Sequence, residues 1–214
     1  MKIFQLPSPT QQLHHTLIAE RGVEVVVKRD DLIHPEISGN KWRKLKYNLQ
    51  QAQAEKKSTL LTFGGAYSNH LLATAVAAKE FGLKSVGVVR GEELRELNST
   101  LTACRNAGMR LHFVSRAAYR NKQEIQFIKE LQEAFGDFYQ IPEGGANQWG
   151  VKGCEEILAE LDTAFDFVAC AAGTGTTAAG ILRSITDKKL LVFPALKGGD
   201  GLKEEVLKWQ KKET

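Results

Sequence analysis

Asp166-Phe167-Val168-Ala169-Cys170-Ala171-Ala172-Gly173-Thr174-Gly175-Thr176-Thr177 is the stretch that decides the fold. A short apolar strand over 165–171 runs into a glycine- and threonine-rich turn, and a helix over 175–185 follows. The first amides of such a helix have no partners within it and carry partial positive charge. An anion, and a phosphate above all, is stabilised there. The other reading of the same residues is a plain strand-to-helix turn with a threonine cap.

Outward from this stretch the same order repeats. Strands are expected over 23–28, 59–63, 84–89, 110–114, 138–141, 165–171 and 189–193. Helices are expected over 40–56, 69–81, 97–107, 121–135, 149–161, 175–185 and 202–211. Gly82, Gly108 and Gly136 follow three of these helices as stop residues. In the first helix Trp42, Leu45, Leu49 and Ala52 form one apolar face, and Lys41 and Lys44 lie together on a neighbouring one. Strands alternating with helices mean an α/β fold with parallel strands and covered sheet faces. Ligands in such folds bind beyond the carboxyl ends of the strands.

Two further clusters share that position. Gly64-Gly65-Ala66-Tyr67-Ser68-Asn69-His70 follows the strand over 59–63, and its amides suit a carboxylate. Helix capping by Ser68 and Asn69 explains the same residues. The turn Pro142-Glu143-Gly144-Gly145-Ala146-Asn147-Gln148-Trp149-Gly150 reads either as a ligand-wrapping loop or as a surface loop. Ser38-Gly39-Asn40-Lys41-Trp42-Arg43-Lys44 places a lysine at a helix mouth beside a second cation. Both features make the Lys41 amine lose its proton more readily. A neutral amine is the form that condenses with an aldehyde. An amine nucleophile, an anion-binding turn and a phosphate-binding turn together suggest pyridoxal phosphate as cofactor. A nicotinamide dinucleotide is the rival, since Gly173, Gly175 and Ala178 fit Gly-x-Gly-x-x-Gly/Ala. That reading needs an acid at the end of the next strand, which instead ends in Phe193-Pro194.

The totals exclude several other classes. The hydrophobic share is 43% and the charged share 25%, ordinary for a globular protein. The apolar runs are strand-sized, so no transmembrane helix and no membrane partner are expected. The start, Met1-Lys2-Ile3-Phe4-Gln5-Leu6-Pro7, lacks the apolar core of a secretory signal, and a cytoplasmic protein is expected. The net charge of +4 is mild, and the basic end from Lys208 to Lys212 reads as a solvated helix face rather than a nucleic-acid surface. Cys104, Cys154, Cys170 and the five histidines show no metal-ligand spacing, so no metal is expected.

The clusters taken in order resemble a known family. Lys28-Arg29-Asp30-Asp31, then Ser38 to Leu45, Gly64 to His70 and Gly173 to Thr177 are similar to the D-cysteine desulfhydrase / 1-aminocyclopropane-1-carboxylate (ACC) deaminase family. These are fold-type-II pyridoxal phosphate enzymes, with parallel sheets flanked by helices in two open α/β domains. The resemblance extends over essentially the whole chain. It implies a small domain over 42–141 and a large cofactor-binding domain from 1–41 and 142–214, with the cofactor in the cleft between them. It implies Lys41 as the Schiff-base lysine and the base at the substrate α-carbon. Asn69 would bond the cofactor's ring hydroxyl, and Ser68 would bind the substrate carboxylate and assist proton transfer as a second catalytic residue. Lys44, Thr174, Gly175, Thr176 and Thr177 would bind the phosphate. The implied activity is breakdown of D-cysteine to pyruvate, sulfide and ammonia, with ACC deamination to 2-oxobutyrate and ammonia as the alternative. The implied assembly is a homodimer. Family members run longer past Leu196-Lys197-Gly198-Gly199, where they carry the partner of the pyridine nitrogen and a substrate-side tyrosine. The large domain is therefore expected to be C-terminally truncated, and a silent cofactor-binding remnant is a further alternative.

Overall fold

The computed structural model describes residues 4–37, 39–93, 95–195 and 199–210. Expectations that touch Ser38, 196–198 or 211–214 lie outside these residues. In chain order the elements are β1 (Thr10–Gln12), α1 (Thr16–Glu20), β2 (Val26–Lys28), α2 (Lys41–Ala54), β3 (Thr59–Gly65), α3 (Asn69–Glu80), β4 (Lys84–Arg90), α4 (Ser99–Asn106) and β5 (Met109–Val114). There follow α5 (Arg116–Arg120), α6 (Ile125–Phe135), β6 (Tyr139–Ile141), α7 (Gln148–Glu155), β7 (Phe167–Ala172), α8 (Thr176–Ser184), β8 (Lys189–Pro194) and α9 (Leu202–Lys208).

The strands of the described residues form three sheets. Four parallel strands lie in the order β5-β4-β3-β6. Central β3 pairs with β4 from Thr59↔Lys84 to Gly65↔Arg90, and with β6 from Leu60↔Tyr139 to Thr62↔Ile141. A separate parallel pair, β7-β8, runs from Phe167↔Lys189 to Ala172↔Pro194. The third sheet is antiparallel, β1 against β2, with Thr10 opposite Lys28.

Three expectations need correction. The strand over 23–28 shrinks to Val26–Lys28 and pairs antiparallel with Thr10–Gln12, a polar segment with no strand pattern of its own. The helix over 121–135 starts only at Ile125, after the separate short helix α5, which Ser115 caps by accepting from the Ala118 amide. The helix over 149–161 ends at Glu155 and gives way to a 3₁₀ turn at Leu158–Glu160, which carries Glu160 to Arg43.

Helix α2 is covered on two sides. Trp42, Leu45, Leu49 and Ala52 are buried as expected, and they pack with Ile33, Ile37, Leu60, Val76 and Ile141. Arg43 and Lys44 are also buried, because α7 covers the opposite face. The approach is backbone to backbone. A Cβ on Gly153 of α7 would stand 1.8 Å from the Arg43 carbonyl oxygen, and one on Gly180 of α8 would stand 2.5 Å from the Val151 carbonyl oxygen. Two glycines thus stack α2, α7 and α8 at a separation that side chains would forbid.

A buried ionic cluster ties the chain's first third to this stack. Arg43, 1% exposed, bonds Asp30 Oδ1 at 3.0 Å and Glu160 Oε2 at 2.8 Å, with a second contact to Glu160 Oε1. Lys28 adds bonds to Glu160 at 2.8 Å and to the Ser8 carbonyl at 2.8 Å. Burial works to raise the Glu160 pKa, yet the bonds from Arg43 and Lys28 outweigh it and hold it at about 2.

Candidate active site

The carboxyl end of β7 and the mouth of α2 meet in one cavity of about 150 Å³. Lys41 and Lys44 line it from α2, and Thr174, Gly175 and Thr177 from the turn into α8. Of the site residues expected from sequence, these five come together. Thr176 lies just behind, fully buried, with its hydroxyl 3.0 Å from that of Thr174. Ser68 and Asn69 do not line this cavity.

The turn after β7 is not a threonine cap. The residue at the N-cap of α8 is Gly175, at φ +74°, with no side-chain cap bond. Only glycine takes this backbone region without strain. The first amides of α8 therefore keep their donors for a ligand. A Cβ at Gly175 would also press to 3.0 Å from Val206 of α9, so this helix closes the turn from behind.

Two lysines face these amides. Lys41 Nζ donates to Asn40 Oδ1 at 2.9 Å, and Asn40 Nδ2 donates to Thr177 Oγ1 at 2.7 Å. Burial pushes the Lys41 pKa below its ordinary value. Lys44, 4% exposed, lies 3.5 Å from Thr174 Oγ1. Burial first, and the Lys41 charge second, lower its pKa to about 8. No carboxylate of the described residues pairs with either amine. A buried ammonium without an anion is costly. A phosphate on the α8 amides would stand beside Lys44 and supply the missing charge. The donor set therefore fits the phosphate of pyridoxal phosphate, and the desolvated Lys41 amine fits its aldehyde.

The turn over 142–150 belongs to the site as well. Gly144, at φ +67°, lines the cavity, and a Cβ there would stand 2.9 Å from Thr174 Cγ2. The turn is held by Asn48, whose Oδ1 accepts from Asn147 Nδ2 at 2.7 Å and from the Tyr139 hydroxyl at 3.1 Å. Asn48 also donates to the Lys44 carbonyl at 2.7 Å. The turn and the lysine helix are thereby coupled through one carboxamide.

Asn40 was not singled out from the sequence. Its signal was available: a carboxamide, with one donor and one acceptor group, placed just before Lys41. Gly144 had no comparable signal, because its partner Thr174 is thirty positions away.

Ser68 caps α3, accepting from the Leu71 amide at 3.3 Å. The capping reading holds there, and the hydroxyl proton is left over to donate. Asn69 opens α3 and is exposed. His70, next in line, is buried, with Nε2 3.0 Å from Thr62 Oγ1. Burial, then the charges of Lys41 and Lys44, lower its pKa to about 3, so it is neutral at physiological pH. Among the described residues no group of three His, Cys, Asp or Glu could hold a metal ion. No helix of the described residues is long and apolar enough to cross a membrane.

A parallel α/β fold with a buried lysine facing a glycine–threonine anion turn defines a class of pyridoxal phosphate enzymes. The family described as pyridoxal-phosphate dependent enzyme matches residues 3–192, and this chain belongs to it. The Thermotoga maritima protein named "Putative 1-aminocyclopropane-1-carboxylate deaminase" is 37% identical over 187 residues, 84% of this chain and 59% of that protein. The Arabidopsis thaliana "Bifunctional D-cysteine desulfhydrase/1-aminocyclopropane-1-carboxylate deaminase, mitochondrial" is 34% identical, over 75% of this chain and 44% of that one. A crystal structure of an ACC deaminase homologue superposes with a TM-score of 0.83 at 28% identity, covering 97% of this chain and 66% of that chain. The chain spans about half the length of the curated relatives it matches.

Proposed function

We propose that this chain binds pyridoxal 5'-phosphate and breaks down a small amino acid. D-cysteine, yielding pyruvate, sulfide and ammonia, is the first substrate to assay. ACC, yielding 2-oxobutyrate and ammonia, is the second, and the names of the relatives support the two equally. The observation that carries the reading is the desolvated Lys41 amine, held by Asn40 in the cavity that the Thr174–Thr177 turn also lines.

When bound, pyridoxal phosphate supplies a ring that stabilises negative charge at the substrate α-carbon. Lys44, Thr174, Gly175, Thr176 and Thr177 hold its phosphate, with Lys44 as the counter-charge. Lys41 would hold its aldehyde carbon, and its neutral amine would take the substrate α-proton at Nζ. The lowered Lys41 pKa favours both roles, because each needs the neutral amine. Ser68 spends an oxygen lone pair on the Leu71 amide and keeps its proton to donate to the substrate carboxylate. Asn69 serves the ring hydroxyl. The domains follow the same reading: a small unit over 42–141, supported by a four-stranded sheet whose strands all fall within it, and a larger unit from 1–41 and 142–214. A homodimer in the cytoplasm is the assembly and location proposed with it.

The test is spectral and chemical. Adding pyridoxal phosphate is expected to give the visible absorption of a lysine-linked cofactor, and borohydride is expected to fix it on the peptide that contains Lys41. Lys41→Ala should lose both signals. Unchanged absorption in that variant would remove Lys41 from its role. Pyruvate and sulfide from D-cysteine, or 2-oxobutyrate from ACC, then identify the substrate. Cofactor binding with neither product would favour a silent binding protein.

A further inference from the structure

A second cavity, of about 540 Å³, shares no lining residue with the first. It opens at the carboxyl ends of β3 and β4, beyond Gly65 and Arg90, and helix α5 walls its far side. Its charge is one-sided. Arg90, Arg116, Arg120 and Lys122 line it, against the single carboxylate of Glu143. That carboxylate lies 3.4 Å from Lys122. The three arginines make no ion pair among the described residues. Like charges gathered around one concavity repel each other, so an anion between them is stabilised.

The wall also carries a buried phenol. Tyr119 is 2% exposed, and its hydroxyl lies beside the Glu143 carboxylate without a well-formed hydrogen bond to it. Buried polar atoms of this kind are rare in folded proteins and call for a partner. Burial first, then the Glu143 carboxylate through its charge and through hydrogen bonding, push the Tyr119 pKa up, so the phenol keeps its proton and can donate. Two cations lie over its ring, Lys122 at 4.8 Å and Arg90 at 5.8 Å from the centroid. The ring thereby orders two of the four positive groups around the cavity.

We propose that this cavity binds a small anion of two or more charges, phosphoryl or dicarboxylate, at a site separate from the Lys41 cavity. Guanidinium groups can bond two oxygens of either ligand at once, and Lys122 adds a point charge. The volume suits a metabolite-sized molecule. The proposal does not depend on the cofactor reading. The two cavities are nonetheless adjacent, since Glu143 lines one and Gly144 the other. The loop with Gly65, Ala66 and Tyr67 likewise leads from this cavity straight to Ser68.

The test is calorimetric titration of the full chain with pyrophosphate and, separately, with malonate. A binding event is expected that survives in Lys44→Gln and that weakens about tenfold or more in the double variant Arg116→Gln/Arg120→Gln. Affinity should also fall steeply with added salt. Both arginines are exposed, so the double variant should melt like the parent. Tighter pyrophosphate binding assigns a phosphoryl ligand, tighter malonate binding a dicarboxylate, and either supports the site. No binding by the parent overturns it, and so does equal affinity in the double variant. If Lys44→Gln fails to fold, the arginine pair alone decides.

Discussion

β3 and β7 are both apolar parallel strands that end in glycine-rich turns, yet the structure uses them differently. Every residue of β3 from Thr59 to Gly64 is buried, because β4 and β6 flank the strand and helices cover both faces. β7 alternates between exposed and half-buried residues along most of its length, and so does its neighbour β8. One face of that pair packs on α8, while the other leaves Phe167 at 55%, Leu191 at 44% and Phe193 at 59% exposure. The expectation of covered faces therefore holds for the four-stranded sheet and fails for the outer side of β7-β8. The anion turn thus sits on the less enclosed sheet, where α7 approaches Thr176 and α9 approaches Gly175.

This contrast can be broken by mutation. Phe63→Ala, in the fully enclosed β3, should cost about 3–5 kcal/mol in denaturant unfolding, from lost burial and the cavity left behind. Arg43→Ala should cost about 3 kcal/mol at neutral pH, because it strands the carboxylates of Asp30 and Glu160 in partly buried positions. Its sign with pH follows from Glu160. A carboxylate held down at about 2 contributes stability that is complete above its ordinary value of 4.5 and is lost as pH falls toward 2. The gap between parent and variant should therefore narrow over that window, and a gap that stays constant would show that Arg43 acts through packing alone. Hydrogen exchange offers a finer comparison: the amides of β3 should exchange only on global unfolding, and those of β7 and β8 sooner. The smallest effect belongs to Phe193→Ser, expected within about 0.5 kcal/mol of the parent. A cost approaching that of Phe63→Ala would mean that the open face is covered in solution, for instance by a second copy of the chain.

Much of this is legible in the sequence. The 3,4,3 spacing of Trp42, Leu45, Leu49 and Ala52 located a buried helix face, because helical periodicity is a local property. What failed was local too, but decided elsewhere. Thr10–Gln12 is a strand only because β2 offers it a ladder, and Lys44 is buried only because Gly153 lets α7 come close. Glu160, one of several acids near a helix end in the sequence, joins an ionic cluster through a partner 117 positions away.

The order of strands, helices and glycine turns, and so the α/β class and the identity of a lysine and an anion turn as chemical groups, followed from sequence alone. Each depends on backbone propensities and side-chain types within a few residues. That Lys41, Lys44, Asn40, Gly144 and the turn after β7 share one cavity was decided by tertiary structure. So was the gathering of three arginines and Tyr119 around another. Proximity between segments so far apart, and the desolvation that shifts a lysine's proton affinity, exist only once helices have packed.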